Sequence, residues 1–346
     1  MRKTTKEYKI FNKAADASIA TLANLCSSAS TESLMQEILT TCVKLGMESG
    51  DTGDLKLVNN CLKELRYSFK IFTPYRNAKK AIIFGSARSR KDSAEYKMAE
   101  EFAEKITKKG YMIVTGGGPG VMEAGNKGAG LGTDFALNIR LPFEQEPNPY
   151  LDEKERLINF KYFFTRKLIF IKETDATALF PGGFGTNDEG FEAPTLLQTG
   201  KSRPRPVILM EPEGSTYWAG WIRFVEEQLV KNGFIDKHDL NLFQVARSAD
   251  AAVEHIEAFY SVYHSLRYVD GLTVLRLNRP LSPKVLQSIN HDFKDILTEG
   301  RIEPSPALRE ELEDGEYPNL PRIVMKFNLH DYGRLFELIR IINKGD

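Results

Sequence analysis

Three short apolar runs in this chain each end in a glycine turn that leads toward a helix start. That repeat constrains the fold more than any other feature. Ala81 to Phe84 ends at Gly85-Ser86-Ala87, and Met112 to Val114 runs into Thr115-Gly116-Gly117-Gly118-Pro119-Gly120. Ala176 to Phe180 runs into Pro181-Gly182-Gly183-Phe184-Gly185-Thr186. Short continuous apolar runs read as strands buried on both faces, the kind that helices cover in a parallel sheet. Further strands are predicted at 135–139 and 207–210, and helices at 157–173, 218–232 and 249–263. Strands alternating with helices give an α/β fold, a Rossmann-like doubly wound parallel sheet with helices on both faces. This domain is expected over residues 77–265.

The flanks read differently. Residues 1–76 carry Leu34, Ile38, Leu45, Leu57, Cys61, Leu62 and Leu65 at helical spacing, which predicts an N-terminal helical arm. Residues 266–346 read as a small α+β appendage, with strands at 273–277 and 323–327 and helices at 283–297 and 332–342. The charged, proline-bearing stretch 299–321 between them reads as an exposed loop.

Bulk properties narrow the function classes. Lys and Arg number 47 and Asp and Glu 47, so the net charge of zero gives no drive toward nucleic acid or an anionic membrane. The basic clusters at Arg76 to Lys80 and Arg88 to Lys91 read as solvated surface. No apolar run is long enough to cross a bilayer, and Met1 to Lys13 has no apolar core of a leader, so a cytoplasmic protein is expected. Cys26, Cys42 and Cys61 match no zinc spacing, and an odd count is a poor disulfide framework. They read as buried or partly buried thiols. None of the five histidines has metal-ligand spacing with a second His or Cys, so no metal is expected.

The glycine turns carry the chemistry. A turn that opens a helix at a strand's carboxyl end presents bare N–H groups to an anion, with the helix dipole behind them. Gly116, Gly117, Gly118 and Gly120 form one such turn and Gly182, Gly183 and Gly185 another, with Gly85 and Ser86 at a third strand end. The first turn fits neither the dinucleotide spacing nor the P-loop, which disfavours a dehydrogenase or an ATPase. Two anion-binding turns in one sheet suggest one phosphate-bearing ligand held between them. Thr186 can serve as helix cap and as hydroxyl donor to phosphate. Glu189 and Glu192 share a helix face, and desolvation there would raise a carboxyl's pKa, as acid–base work requires. Pro194 and Gly190 predict a local distortion of that helix. Upstream, Arg166 and Lys167 lie on an aromatic amphipathic helix, placed to hold a phosphate or pair with Glu189.

These residues resemble a family. Gly116 to Met122 is similar to its first signature, Pro181 to Glu189 matches its second, PGGxGTxxE, and Arg166-Lys167 matches its Arg-Lys pair. The chain resembles the Lonely Guy family, the cytokinin-activating phosphoribohydrolases and their bacterial relatives, over Lys80 to Phe259. Leu137 to Gln145 also looks like a stretch of the bacterial members. The resemblance implies hydrolysis of the N-glycosidic bond of a nucleoside 5′-monophosphate, releasing a base and ribose 5-phosphate. It implies Arg166 and Glu189 as catalytic residues, the glycine turns and Thr186 around the phosphate, and a homodimer with sites near the subunit interface. Members often carry an old label of lysine decarboxylase, for which nothing here singles out a lysine. The chain departs from the family pattern at Phe164-Thr165, Asn187, Gly190 and Pro194. With Phe163 and Phe184, these changes bear on base preference.

Cleaving a ribosyl bond builds positive charge on the sugar, which a carboxylate beneath it stabilises. That role falls to Glu189, with Glu192 as its helper or substitute, and Arg166 fixing the phosphate or hydrogen-bonding the substrate. The hydrolysis requires no cofactor. A different class stays open, a carrier or sensor that binds the nucleotide without cleaving it.

Overall fold

A computed structural model describes residues 8–140, 147–151, 155–315 and 317–345. The chain divides into two compact units, Met1–Arg66 and Tyr67–Asp346. Among the described residues no helix is long and apolar enough to cross a membrane.

The first unit is helical, as its spacing predicts: α1 (Lys13–Cys26), α2 (Glu32–Glu48) and most of α3 (Thr52–Phe72). Asn12 caps α1, its side-chain oxygen accepting from the N–H groups of Ala14 and Ala15. The spacing does not deliver a closed core, because Leu34, Ile38, Leu57 and Leu62 are all exposed. The cysteines correct the expectation too. Cys26 and Cys42 are exposed and only Cys61 is half-buried, because the helices turn the first two outward.

The second unit begins with β1 (Lys80–Phe84), α4 (Ala94–Lys108), β2 (Met112–Thr115), α5 (Val121–Ala129), β3 (Asp134–Ile139) and β4 (Leu157–Phe160). It continues with α6 (Phe163–Glu173), β5 (Ala176–Leu179), α7 (Phe184–Gln198), β6 (Val207–Met210), α8 (Tyr217–Phe224), β7 (Gln244–Ala246) and α9 (Ala249–Phe259). The seven strands form one parallel sheet in the order β4-β3-β2-β1-β5-β6-β7. Every residue of β1, β2, β5 and β6 is buried, which explains their unbroken apolar runs. Ala81 and Ile83 point into a core with Phe102 and Ile106 of α4, Ala124 of α5 and Ile256 of α9. Phe84, on the alternate face, meets Phe170 of α6 edge-on at 4.9 Å. Helices therefore cover both faces, as the doubly wound reading requires.

The unit ends in a second sheet. Its elements are β8 (Tyr263–Val269), β9 (Leu272–Leu277), α10 (Pro283–Asp292), β10 (Leu297–Ser305), α11 (Arg309–Glu313), β11 (Arg322–Phe327) and α12 (Tyr332–Lys344). The strands run antiparallel in the order β10-β11-β9-β8. Asp270 and Gly271 join β8 to β9 with φ of 46° and 79°, the paired positive values of a two-residue hairpin turn. The body of α12 packs against α9 and α7 and so joins the appendage to the first sheet.

Four sequence expectations about elements need correction. The helix expected over 283–297 ends at Asp292, and Leu297 already opens β10. Residues 157–173 are not one helix, because Leu157–Phe160 adds the edge strand β4 and the helix starts only at Phe163. The helix expected over 249–263 stops at Phe259, and Tyr263 opens β8. The loop expected at 299–321 instead holds most of β10 and all of α11, with Glu316 outside the described residues. Charge misled there, because β10 is an edge strand whose side chains are mostly exposed. Of the stretch Leu137 to Gln145, positions 141–145 lie outside the described residues.

Candidate active site

The chain winds outward from β1 through β2, β3 and β4, then crosses back to β5 and winds the other way. The reversal leaves a crevice at the carboxyl ends of β1 and β5, where sheets of this kind bind ligands. A cleft of about 600 Å³ opens there. Gly85, Ser86, Gly116, Gly118, Arg166, Gly183, Gly185, Thr186 and Glu189 all line it. Gly117, Gly120, Lys167, Gly182 and Glu192 do not form its wall.

Backbone bonds draw the turns together. Ser86 donates its N–H to the carbonyl of Pro181, and its own carbonyl accepts from Val121, both at 3.1 Å. One residue at the end of β1 thus ties the second glycine turn to the helix that follows the first. Gly120 sits behind this link with φ 68°, and a Cβ there would collide with the Ser86 carbonyl. Gly116 is needed for a different reason: a Cβ would stand 2.5 Å from Nη2 of Arg166. The first turn therefore brings bare backbone up to a guanidinium.

The helix behind the second turn starts earlier than its sequence suggests. Gly183 is the cap residue and Phe184, Gly185 and Thr186 form the first turn of α7, so Thr186 is buried inside the helix and does not cap it. Glu189 falls in the second turn. The first-turn N–H groups have no carbonyl ahead of them within the helix, and this end of α7 faces the cleft. The helix continues through Pro194 to Gln198.

Burial shapes the charges. Glu189 is 7% exposed, and desolvation pushes its carboxyl from about 4.5 up to about 7. Lys167, 3.7 Å away, opposes that rise, while Glu192 adds to it. Lys167 itself bonds Asp188 and Glu192, each at 2.8 Å. Burial works against its charge, but those two hydrogen bonds and the charges of Glu189 and Glu192 together outweigh it, and the net shift is upward. Burial pulls Arg166 down to about 10, opposed by the charge of Glu189. Its Nε donates to the carbonyl of Leu137 at 2.6 Å, which fixes the guanidinium against the end of β3.

The structure thus separates the two candidate carboxylates. Glu189 lines the cleft, whereas Glu192 lies outside the wall, where it pairs with Lys167 and shares a hydrogen bond with Glu189. The cleft also gathers Arg88, which the sequence reading gave to solvated surface, and residues the sequence did not single out, among them Met122, Asn138 and Asp188. Asn138 had a usable signal, its place at the carboxyl end of a parallel strand. Asp188 had one too, next to Glu189. Phe163 and Phe184 stand on the wall, 54% and 96% exposed, while Phe164 stacks on Tyr162 instead. Among the described residues no group of three His, Cys, Asp or Glu side chains could hold a metal ion.

No curated protein matches this chain. A solved structural-genomics target, TM1055, is 26% identical, covers 52% of this chain and 98% of its own, and has a TM-score of 0.38. The molybdenum cofactor binding protein of Rippkaea orientalis is 21% identical over 52% of this chain and 94% of its own, with a TM-score of 0.37. The molybdenum cofactor carrier protein of Chlamydomonas reinhardtii is 21% identical over 52% and 96%, with a TM-score of 0.36. The family model described as "Possible lysine decarboxylase" matches residues 113–256, and over that stretch the resemblance to the Lonely Guy family, read from the two glycine signatures and the Arg-Lys pair, holds.

Proposed function

We propose that this chain hydrolyses the N-glycosidic bond of a nucleoside 5′-monophosphate, AMP or an N6-modified relative, to a free base and ribose 5-phosphate. One observation carries the reading: the buried Glu189 carboxyl lines the same cleft as both glycine turns, where desolvation pushes its pKa up to about 7. The turns and the start of α7 hold the phosphate, and Arg166 adds a fixed positive charge. Glu189, ionised, lies under the ribose, stabilises the charge that grows there and orients the attacking water. Asp188 and Glu192 keep Lys167 charged beside it, so that Glu189 can ionise near neutral pH although buried.

The lysine decarboxylase description suits the cleft poorly. Lys167 lies outside the wall, and its carboxylate partners hold it protonated, the opposite of what a Schiff-base lysine needs. Phe163 and Phe184 offer apolar surface for a base, and a homodimer that covers these exposed rings belongs to the same proposal.

The test is incubation of the purified chain with AMP and other nucleoside monophosphates, with chromatography of the released base. Equimolar base and ribose 5-phosphate is the expected result. Binding of AMP without release of adenine, or of any base from the other monophosphates, overturns the hydrolase and leaves a carrier or sensor.

A further inference from the structure

Both glycine turns are gripped from behind by side chains that no part of the proposed chemistry uses. Behind the first turn lies a buried polar network. Asn148 Nδ2 donates to the carbonyls of Gly117 and Gly118, each at 3.2 Å, and to Asn126 Oδ1 at 2.9 Å. The Asn148 N–H donates to the Gly117 carbonyl as well, at 3.0 Å. Asn126 also accepts from Thr115 Oγ1 at 2.7 Å and donates to Asp134 at 2.8 Å. The Gly117 N–H is taken up by Thr115 Oγ1 at 3.0 Å. Thr115, Asn126, Asp134 and Asn148 are all buried.

Behind the second turn the brace is smaller. Tyr217 donates its hydroxyl to the carbonyl of Gly182 at 2.6 Å and accepts from Asn187 Nδ2 at 2.8 Å. Asn187 gives a second hydrogen to the carbonyl of Gly183 at 3.0 Å.

The geometry of the peptide bond links these braces to the ligand. In a planar trans peptide the C=O and the following N–H point in opposite directions. A carbonyl held on the far side therefore aims the next N–H at the cleft. Holding the Gly117 carbonyl aims the N–H of Gly118, and holding the Gly182 carbonyl aims that of Gly183. Gly118 and Gly183 are both on the cleft wall, whereas Gly117 and Gly182 are not. Glycine-rich backbone flips easily when nothing holds it, so each turn needs such a brace to keep its donors preorganised.

We infer that Asn148 and Tyr217 are positioning residues, one for each turn, that lock these two peptide planes so that the N–H groups of Gly118 and Gly183 converge on the 5′-phosphate. The inference rests on the phosphate-binding reading of the cleft. It also corrects the expectation that Gly117 serves the phosphate: its N–H is committed to Thr115, and its carbonyl is the handle by which the turn is held.

The experiment measures calorimetric binding of ribose 5-phosphate and of adenosine to the full chain, with melting temperatures and AMP kinetics. The variants are Tyr217→Phe, which removes one hydroxyl, and Asn148→Asp, which puts an acceptor where the carbonyls need a donor. Each variant is expected to bind ribose 5-phosphate roughly tenfold more weakly than the parent, with adenosine binding unchanged. The KM for AMP rises accordingly, and kcat falls less. A merely structural role would lower the melting temperature and weaken both ligands together. Should Asn148→Asp fail to fold, Tyr217→Phe decides alone. Unchanged ribose 5-phosphate binding in a folded Tyr217→Phe overturns the brace while the hydrolase reading survives. A parent that binds ribose 5-phosphate in this brace-dependent way but never releases base loses the hydrolase and keeps the brace. A parent that does not bind ribose 5-phosphate loses both.

Discussion

Glu189 and Glu311 are both buried carboxylates beside cations, one in each sheet region, and their acidities are driven in opposite directions. Glu311, on α11, is fully buried between two arginines. Arg276 Nε reaches one of its oxygens at 2.8 Å and Arg322 Nη1 the other at 2.6 Å, while the Leu308 N–H adds a third bond. Burial alone would raise the Glu311 pKa, but these bonds win and lower it. Glu189 receives no such treatment. The cation paired with it, Lys167, stands at 3.7 Å and is shared with two other carboxylates. Burial wins there and the pKa rises. The difference teaches where each group's energy is directed. A fully bonded carboxylate fixes structure, and an under-bonded one is left poised to change its charge.

The largest effect tests the poised group. Glu189→Gln keeps the shape and removes the charge. On the proposed mechanism AMP hydrolysis falls roughly 10³-fold, with ribose 5-phosphate binding nearly intact. Wild-type turnover by a folded Glu189→Gln would remove Glu189 from the chemistry. The matched group should behave in the other way. Glu311→Ala leaves two buried guanidinium groups without their counter-ion, a loss of about 3–5 kcal/mol of stability. Denaturant unfolding at neutral pH reads that loss, and the folded fraction should keep its kcat. If the unfolding midpoint barely moves, the contrast between the two sites fails.

How much of this was visible beforehand follows from the range of each interaction. The parallel sheet was legible because burial on both faces writes an unbroken apolar run into each central strand, and the glycine turns mark where each run ends. β4 was missed because only two of its four residues are fully buried and the aromatic run after it extends the helical pattern backward. β10 was missed because an edge strand can carry Glu299, Arg301 and Glu303 on the surface. At the site, the glycine turns, Arg166 and Glu189 are local signals and were legible. Asn148 reaches the first turn across some thirty positions and Tyr217 reaches the second across 35, so no spacing rule reveals them. Glu192 shows the converse. It shares a helix face with Glu189, but Lys167, from another helix, decides where it points.

A third, smaller test changes the under-bonded site. Lys167→Met removes the cation that holds the Glu189 pKa down. With burial and Glu192 less opposed, that pKa rises further above about 7. If the ionised form is active, the acid limb of the pH–rate profile for AMP moves upward by about one unit. A downward shift, or none, would mean that the group titrating in the profile is not Glu189.

The smallest effect lies in stability and carries the sharpest sign. The folded-state pKa of Glu189 is raised, so the folded chain holds its proton more tightly than the unfolded chain does. Its contribution to stability is full below the ordinary carboxylate pKa of about 4.5 and is lost as pH rises through about 7. Above that, the ionised carboxylate is a buried charge that strains the fold. Glu189→Gln, which cannot ionise, should therefore be more stable than the parent at pH 8, by on the order of 1 kcal/mol, with the gap closing near pH 4. Glu311 has the opposite sign. Its depressed pKa contributes stability above the ordinary carboxylate range, which is lost as pH falls through the folded value. Paired unfolding curves of the parent and Glu189→Gln at pH 8 and pH 5 isolate the first effect, because the Glu311 site is identical in both. A Glu189→Gln variant less stable than the parent at pH 8 would show that the carboxylate is well bonded after all, and the contrast between the two buried acids would collapse.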